Sequence, residues 1–290
     1  MVTMSNTEFI KVAFLDIDGT VRNKSLMETF VDFLYGLGYI SRVVYEGLQA
    51  KRVQYKADKD NSDSYEEYVM LVNQTLINAV KGLPLEEVKK LAAQAIAKYR
   101  YEDYRYTKRL IEILRTNGYK IIAISGSLEF LVDAFRKFYD FDQSYGHGFS
   151  IDEDNVYAAT EPITWRDKHL IIHQIIKDNG WEGAQLQSFA VGDTAGDFTM
   201  LRSATYPIAI NPSKGLVKKM CISATENNKS YYCVVERKDL LYRFVIEPNS
   251  TIKDDSVELS DAVLMIDTKR LGIKILDEPN RLKDFKLITD

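Results

Sequence analysis

The stretch Lys11-Val-Ala-Phe-Leu-Asp-Ile-Asp-Gly-Thr-Val21 decides how the rest of the chain is read. A short apolar run, Val12 to Leu15, ends in Asp16 and Asp18, one residue apart, followed by Gly19 and Thr20. A run this short, bounded by a glycine turn, reads as a buried strand. Two carboxylates at the end of such a strand carry a desolvation cost that hydrogen bonds or a metal ion must offset. In open α/β sheets, chemistry gathers at the carboxyl ends of the strands. Asp16 and Asp18 are therefore read as a metal-dependent nucleophilic site, against the plainer alternative of a strand ending in a polar turn.

Downstream, the periodicity changes. Leu26, Phe30, Phe33, Leu34 and Leu37 recur at helical spacing, and a polar segment follows from Ser41 to Asp60 with Val44, Leu48 and Tyr55 as its apolar marks. Asp58 to Asp63 reads as a loop. Tyr68, Val69, Val72, Leu76 and Val80 form another stripe, and Pro84 is placed to open a helix through Val88, Leu91, Ala95 and Ile96. Residues 24 to 102 thus read as helical throughout. Tyr35, Tyr39, Tyr45, Tyr55, Tyr65 and Tyr68 all fall in this block. They suit amphipathic packing, with a subset lining a substrate entrance as the sharper alternative.

From Thr107 the pattern alternates. A helix over 108–115 leads to the strand Lys120-Ile-Ile-Ala-Ile124, then Ser125-Gly-Ser127 and a helix through Phe130, Leu131, Ala134 and Phe135. Short strands and hairpins are expected over 141–163, and a helix over Trp165–Asn179 with Leu170, Ile171, Ile175 and Ile176 inward. The strand Gln187–Val191 runs into Gly192-Asp193. Another strand, Tyr206–Ile210, precedes a basic helix from Ser213. Strands alternating with helices predict a parallel sheet. The fold class is α/β: a Rossmann-like parallel-sheet core, residues 1–22 plus 103–235, with an all-helical cap inserted at 23–102. Residues 236–290 form a small C-terminal extension that either packs on the core or meets a second copy of the chain.

Bulk properties narrow the function. A net charge of −4 provides no general basic footprint for nucleic acid. No apolar run approaches the roughly 20 residues a membrane helix needs. Met1-Val-Thr-Met-Ser-Asn-Thr-Glu8 lacks the charged start and apolar core of a signal peptide. Cys221 and Cys233 have no metal-like spacing and read as reduced, buried thiols, so the chain is expected to be cytoplasmic.

Three further places bear on the aspartates. Ser125, at a strand end, offers a hydroxyl, and the turn after it, with Gly126, offers backbone N–H groups that suit a phosphate. Lys168 lies in the first turns of a helix. Asp193 and Asp197, in Gly192-Asp-Thr-Ala-Gly-Asp197, are four apart and share a face if a helix begins there. Two strand ends that each carry paired carboxylates are hard to explain by packing. His147 and His169 read as ordinary surface or satisfied residues.

Taken in order, strand-Asp-x-Asp-Gly-Thr, strand-Ser, Lys and strand-Gly-Asp-x-x-x-Asp resemble the haloacid dehalogenase (HAD) superfamily of phosphatases over residues 10 to about 220. The helical cap between the first motif and Ser125 is similar to the phosphoserine-phosphatase-like branch. The resemblance implies a Mg²⁺-dependent phosphomonoesterase acting on a small phosphorylated metabolite. In it Asp16 is the nucleophile that forms an aspartyl phosphate, and Asp18 the general acid and base. Mg²⁺ binds Asp16, the Asp18 carbonyl and Asp193. Ser125, the Gly126 N–H and Lys168 hold the phosphate, and Asp197 orients a metal water or Lys168. Asp18 argues against a dehalogenase. The glutamate that recognises the substrate amine in phosphoserine phosphatases is replaced at the matching position by Ser25, and Arg22 and Lys24 near it suggest an anionic or larger substrate if they are not simply solvated. A phosphotransferase passing the group to an acceptor alcohol shares every motif. A non-catalytic phospho-ligand-binding protein is the third reading.

Overall fold

The computed structural model describes residues 9–57, 62–152, 155–159, 167–237, 240–248, 251–253 and 256–258. From β1 (Ile10–Leu15) the chain enters four helices, α1 (Leu26–Gly36), α2 (Arg42–Ala57), α3 (Ser62–Val80) and α4 (Leu85–Lys98). It then runs through α5 (Arg105–Thr116), β2 (Lys120–Leu128), α6 (Glu129–Tyr139), β3 (Gln143–His147), β4 (Phe149–Asp152) and β5 (Asn155–Ala159). Next come α7 (Lys168–Asp178), β6 (Leu186–Gly192), α8 (Phe198–Ser203), β7 (Tyr206–Ile210), α9 (Lys214–Asn227), β8 (Tyr231–Arg237) and β9 (Leu240–Ile246). The short strands β10 (Thr251–Lys253) and β11 (Ser256–Glu258) pair with each other.

Seven strands form one sheet in the order β3-β2-β1-β6-β7-β8-β9. Each neighbouring pair is parallel except β8 and β9. The continuous apolar runs follow from burial on both faces. In β1, Ala13 and Leu15 face the core shared with α1, α4, α5 and α6, while Val12 and Phe14 face the one shared with α7, α8 and α9. A strand's period of two sends alternate residues to opposite layers, so neither face can carry charge. Polar residues are admitted only where the strands end, and that places the site.

The helical insert leaves the sheet after β1 and returns before β2. Leu26, Phe30 and Leu34 of α1 and Val88, Ala92 and Ala95 of α4 continue the same core. The hairpin β4–β5 reaches this insert, where the Val156 N–H donates to the Leu83 carbonyl (3.2 Å) and the Gly82 N–H donates to the Val156 carbonyl (3.0 Å). The first turn of α5 is tied to the far side of the sheet, because the Arg105 and Tyr106 amides both donate to the Glu236 carboxylate of β8, at 3.0 and 2.9 Å. These are amides that a helix start leaves without an intrahelical partner.

Several boundaries differ from the sequence expectations. The helix expected over Trp165–Asn179 is described only from Lys168. Leu170, expected inward, is exposed, and Ile172 takes its place beside Ile175. β2 does not stop at Ile124 but continues through Ser125–Ser127 to Leu128. β9 joins the sheet as an antiparallel edge strand, so the stretch beyond residue 235 begins as part of the sheet. The loop expected at Asp58–Asp63 falls largely outside the described residues. Cys221 and Cys233 are free and buried. Among the described residues no helix is long and apolar enough to cross a membrane.

Candidate active site

β2, β1 and β6 lie side by side, and their carboxyl ends deliver the polar side chains. Asp16 continues the ladder past β1, its amide donating to the Val191 carbonyl at 2.9 Å. The chain then turns sharply, with the amides of Thr20, Val21 and Arg22 all directed at the Ile17 carbonyl and the Gly19 amide donating to Arg22 O at 2.7 Å. Gly19 has φ +87°, and a Cβ there would stand 2.1 Å from Asp193 Oδ2. Only glycine fits, both for the left-handed backbone and for the close approach of the Asp193 carboxylate. Gly19→Ala is expected to destabilise the fold by more than about 1 kcal/mol and to displace Asp193. An unchanged denaturation midpoint would contradict this.

Lys168, at the start of α7, reaches into the cluster. Its Nζ donates to Asp16 Oδ1 and to Asp197 Oδ1, both at 2.6 Å. Burial pushes the ammonium down, but the two carboxylates outweigh that and hold it above its ordinary value. Asp197 is locked on its other side: Oδ2 accepts the Asp193 amide (3.1 Å), the Thr194 amide (2.8 Å) and the Thr194 hydroxyl (3.0 Å). The four-residue spacing of Asp193 and Asp197 thus builds a turn closed by a side chain, and α8 begins only after Asp197. The shared helix face expected from the spacing is not formed.

Asp18 is held differently. Its Oδ1 accepts the Leu26 amide at 2.8 Å, and its Oδ2 accepts the Ser127 hydroxyl at 2.6 Å and the Ser25 hydroxyl at 3.4 Å. Burial raises its pKa against the opposing pull of Ser127, Leu26, Arg22 and Lys168. Asp16 is pushed up to about 7, by burial first, with Asp197 and Asp18 adding to the shift and Lys168 opposing it. Asp193 is raised well above the usual range by burial and by the neighbouring carboxylates of Asp197 and Asp16, while the Thr20 hydroxyl donates to it at 3.3 Å.

Carboxylate oxygens of Asp16, Asp193 and Asp197 lie within 4.8 Å of one another. With Asp18 beside them, four carboxylates stand against the ammonium of Lys168 and, at Asp18, the charge of Arg22. This excess of buried negative charge on hard oxygen donors fits a divalent cation. The sequence reading assigned Asp16, Asp193 and the Asp18 carbonyl to the metal. The structure adds Asp197 to the cluster, but both of its oxygens are already engaged, one by Lys168 and one by its own turn.

Ser125 is buried, and its hydroxyl accepts the Ser127 amide at 3.0 Å, with exposed Gly126 between them. Ser127 was missed in the sequence. β2 runs on through it with a shift of register between Ile124 and Leu128, an irregularity that leaves no periodic signal in the sequence. Arg22 is not at the mouth of the site. It is fully buried and paired with Glu102 at 2.8 Å. Lys24 is tied to Asp32 at 2.6 Å. Glu28 is likewise committed, to the Tyr68 hydroxyl at 2.5 Å and to Arg52 at 2.9 Å. Tyr35 stacks on Tyr45, and Tyr55 on Tyr68, with centroids 4.0 and 5.5 Å apart. Burial first, then the charges of Glu28 and Asp193, raise the Tyr55 pKa. The side chain of Tyr65 lies outside the described residues. His147 is buried at the end of β3, and His169 packs edge-on against His173 on α7 with centroids 5.9 Å apart.

Comparison with known proteins agrees with this geometry. Residues 13–202 match the family described as haloacid dehalogenase-like hydrolase. A phosphoserine phosphatase of Archaeoglobus fulgidus is 25% identical over 142 residues, covering 48% of this chain and 39% of that enzyme. The chain therefore matches well under two thirds of that relative's length. A Bordetella pertussis Tohama I protein of unknown function shares the fold with a TM-score of 0.58 at 15% identity, covering 76% of this chain and 97% of that one. A HAD family hydrolase from Salmonella enterica serovar Typhi superposes with a TM-score of 0.51 at 17% identity, over 74% of this chain and 66% of that one. A substrate-bound phosphoserine phosphatase gives 0.50 at 19% identity, over 73% of this chain and 91% of that one.

Proposed function

Because the chain belongs to the haloacid dehalogenase-like hydrolases, we propose that it is a Mg²⁺-dependent phosphomonoesterase acting on a small phosphorylated metabolite through an aspartyl phosphate. The observation that carries this reading is the unequal holding of two buried carboxylates. Asp16 is pinned by an ammonium, and Asp18 by two hydroxyls and an amide. Carboxylates placed in different environments take different roles.

In the first step Asp16 attacks phosphorus, and the bond from phosphorus to the ester oxygen breaks. Asp18 gives its proton to the departing alkoxide. Burial, which raises the Asp18 pKa, favours its protonated form. In the second step Asp18, now a carboxylate, takes a proton from water as that water attacks the acyl phosphate, which frees Asp16 and inorganic phosphate. Lys168 offsets charge on the transferring group, and the Ser125 hydroxyl and Gly126 N–H hold its oxygens. Asp16, Asp193 and the Asp18 carbonyl would hold Mg²⁺, which when bound offsets repulsion between the anionic nucleophile and the phosphate dianion. Asp197 keeps Lys168 in place. Residues 23–102 close over the site as a cap, and the committed state of Glu28 speaks against that residue serving as a free amine acceptor.

The test is a panel of phosphomonoesters with and without Mg²⁺, with and without acceptor alcohols. Metal-dependent release of inorganic phosphate supports hydrolysis. Phosphorylated alcohol as the main product would move the reading to phosphotransfer, and Mg²⁺ binding with no turnover on any ester would leave only a phospho-ligand-binding protein.

Metal and pH are linked. In the metal-free protein Asp16 titrates near 7, against roughly 3.9 in the unfolded chain. The folded state binds the extra proton between those values, so metal-free stability declines as pH rises from about 4 to 7. A cation that replaces the proton stabilises most above that window. At 100 times its Kd it adds about 2.7 kcal/mol. The thermal shift on adding Mg²⁺ to chelator-treated protein is expected to be larger at pH 7.5 than at pH 5. Equal shifts at both would contradict this.

A further inference from the structure

The two connections between sheet and helical insert run antiparallel past each other. The Asn23 amide donates to Glu102 O at 2.8 Å, and the Tyr104 amide to Val21 O at 2.9 Å. Between them lies Arg22, the largest fully buried side chain among the described residues. Its Nη2 donates to Glu102 Oε2 at 2.8 Å and to the Tyr99 carbonyl at 3.1 Å. The same Oε2 accepts the Thr29 hydroxyl at 3.4 Å. One carboxylate of the returning connection thus holds both the outgoing connection and the first turn of α1. Arg22 also belongs to the catalytic turn, since its carbonyl accepts the Gly19 amide and its own amide donates to Ile17 O. Thr29 stands one turn along α1 from Leu26 and Ser25, the residues whose amide and hydroxyl hold Asp18.

An ion pair whose arginine is buried and whose glutamate is 26% exposed is not needed to hold two strands together, because well-packed apolar residues of similar volume can do so. What the pair adds is geometry. Among the described residues Arg22 Nε and Nη1 have no hydrogen-bond partner, so the side chain's hydrogen bonds go to Glu102 and the Tyr99 carbonyl. We infer that Arg22 and Glu102 are positioning residues: they lock the two connections in one register and so hold the α1 N-terminus that orients Asp18. This rests on the reading of Asp18 as the acid–base group.

The test compares wild type with Glu102→Gln, Arg22→Lys and the charge-free double variant Arg22→Met with Glu102→Leu, which keeps the junction filled if the single change fails to fold. Two esters are used. An alkyl phosphate needs its leaving oxygen protonated, and p-nitrophenyl phosphate does not. In the double variant kcat for the alkyl ester is expected to fall at least about tenfold with KM little changed, and for p-nitrophenyl phosphate less than about threefold. Arg22→Lys should restore part of the alkyl activity. Hydrogen exchange gives a reading independent of turnover: the Leu26 amide should exchange at least about tenfold faster while the Asp16 amide, bonded to Val191, keeps its protection. Equal losses on both esters, or a Leu26 amide as protected as in wild type, would overturn the inference. A wild type that turns over neither ester would count against the phosphatase reading, and the exchange result would still decide the role of the pair.

Discussion

Asp16→Asn will keep its fold and lose phosphate release by about 10⁴-fold or more, because the proposed nucleophile disappears while every other group stays in place. The amide has the shape of the carboxylate. It removes one of the clustered negative charges that burial and neighbours push up to a pKa of about 7, so the metal-free variant should melt at or above the wild-type temperature. Lys168 keeps its second bond, to Asp197, at 2.6 Å. Thermal melting and phosphate release measured on the same sample check both halves. A variant that retains metal-dependent turnover would show that another residue attacks phosphorus.

Lys168→Met will act on stability as well as rate. The lysine side chain is 5% exposed and bridges side chains exposed by 9% and 1%. Removing one member of a buried ion pair costs about 3–5 kcal/mol because the remaining charges stay buried without compensation. Here Asp16, Asp193 and Asp197 all lose their counter-charge. For a chain of this size that corresponds to a drop in Tm of roughly 5–8 °C. Mg²⁺ should recover part of the drop, since it supplies positive charge to the same oxygens, but not the activity. A Tm equal to wild type in chelator would mean that the cluster is not balanced by Lys168.

Much of this site can be read in the sequence because the fold announces its strand ends. Asp16, Asp18 and Asp193 each follow an apolar run that cannot carry charge in its interior, so the first polar residue marks the rim. Lys168 is visible only as a lysine near a helix start, and its meaning comes from order among motifs. Ser127 was hidden because Ser-Gly-Ser looks like a turn, whereas β2 runs on to Leu128 with a shift of register after Ile124 that no simple alternation anticipates. The spacing of Asp193 and Asp197 would put them on one face if a helix began there, but the Asp197 carboxylate instead folds back onto the amides of Asp193 and Thr194. Arg22 looked solvated because nothing local could neutralise it. Its partner Glu102 lies 80 residues away, and long-range pairing leaves no periodic trace. Leu170 shows the same limit in a helix, where an apolar residue next to the stripe cannot be told from one within it.

The central claim is that phosphate passes through a covalent bond to Asp16. The most direct test is intact and peptide mass spectrometry of protein acid-quenched during turnover of a phosphomonoester with Mg²⁺. The account predicts one phosphoryl group, removable by hydroxylamine, on the peptide containing Asp16 and absent from Asp16→Asn. Turnover with no phosphorylated carboxylate, or with the group on another residue, would contradict it.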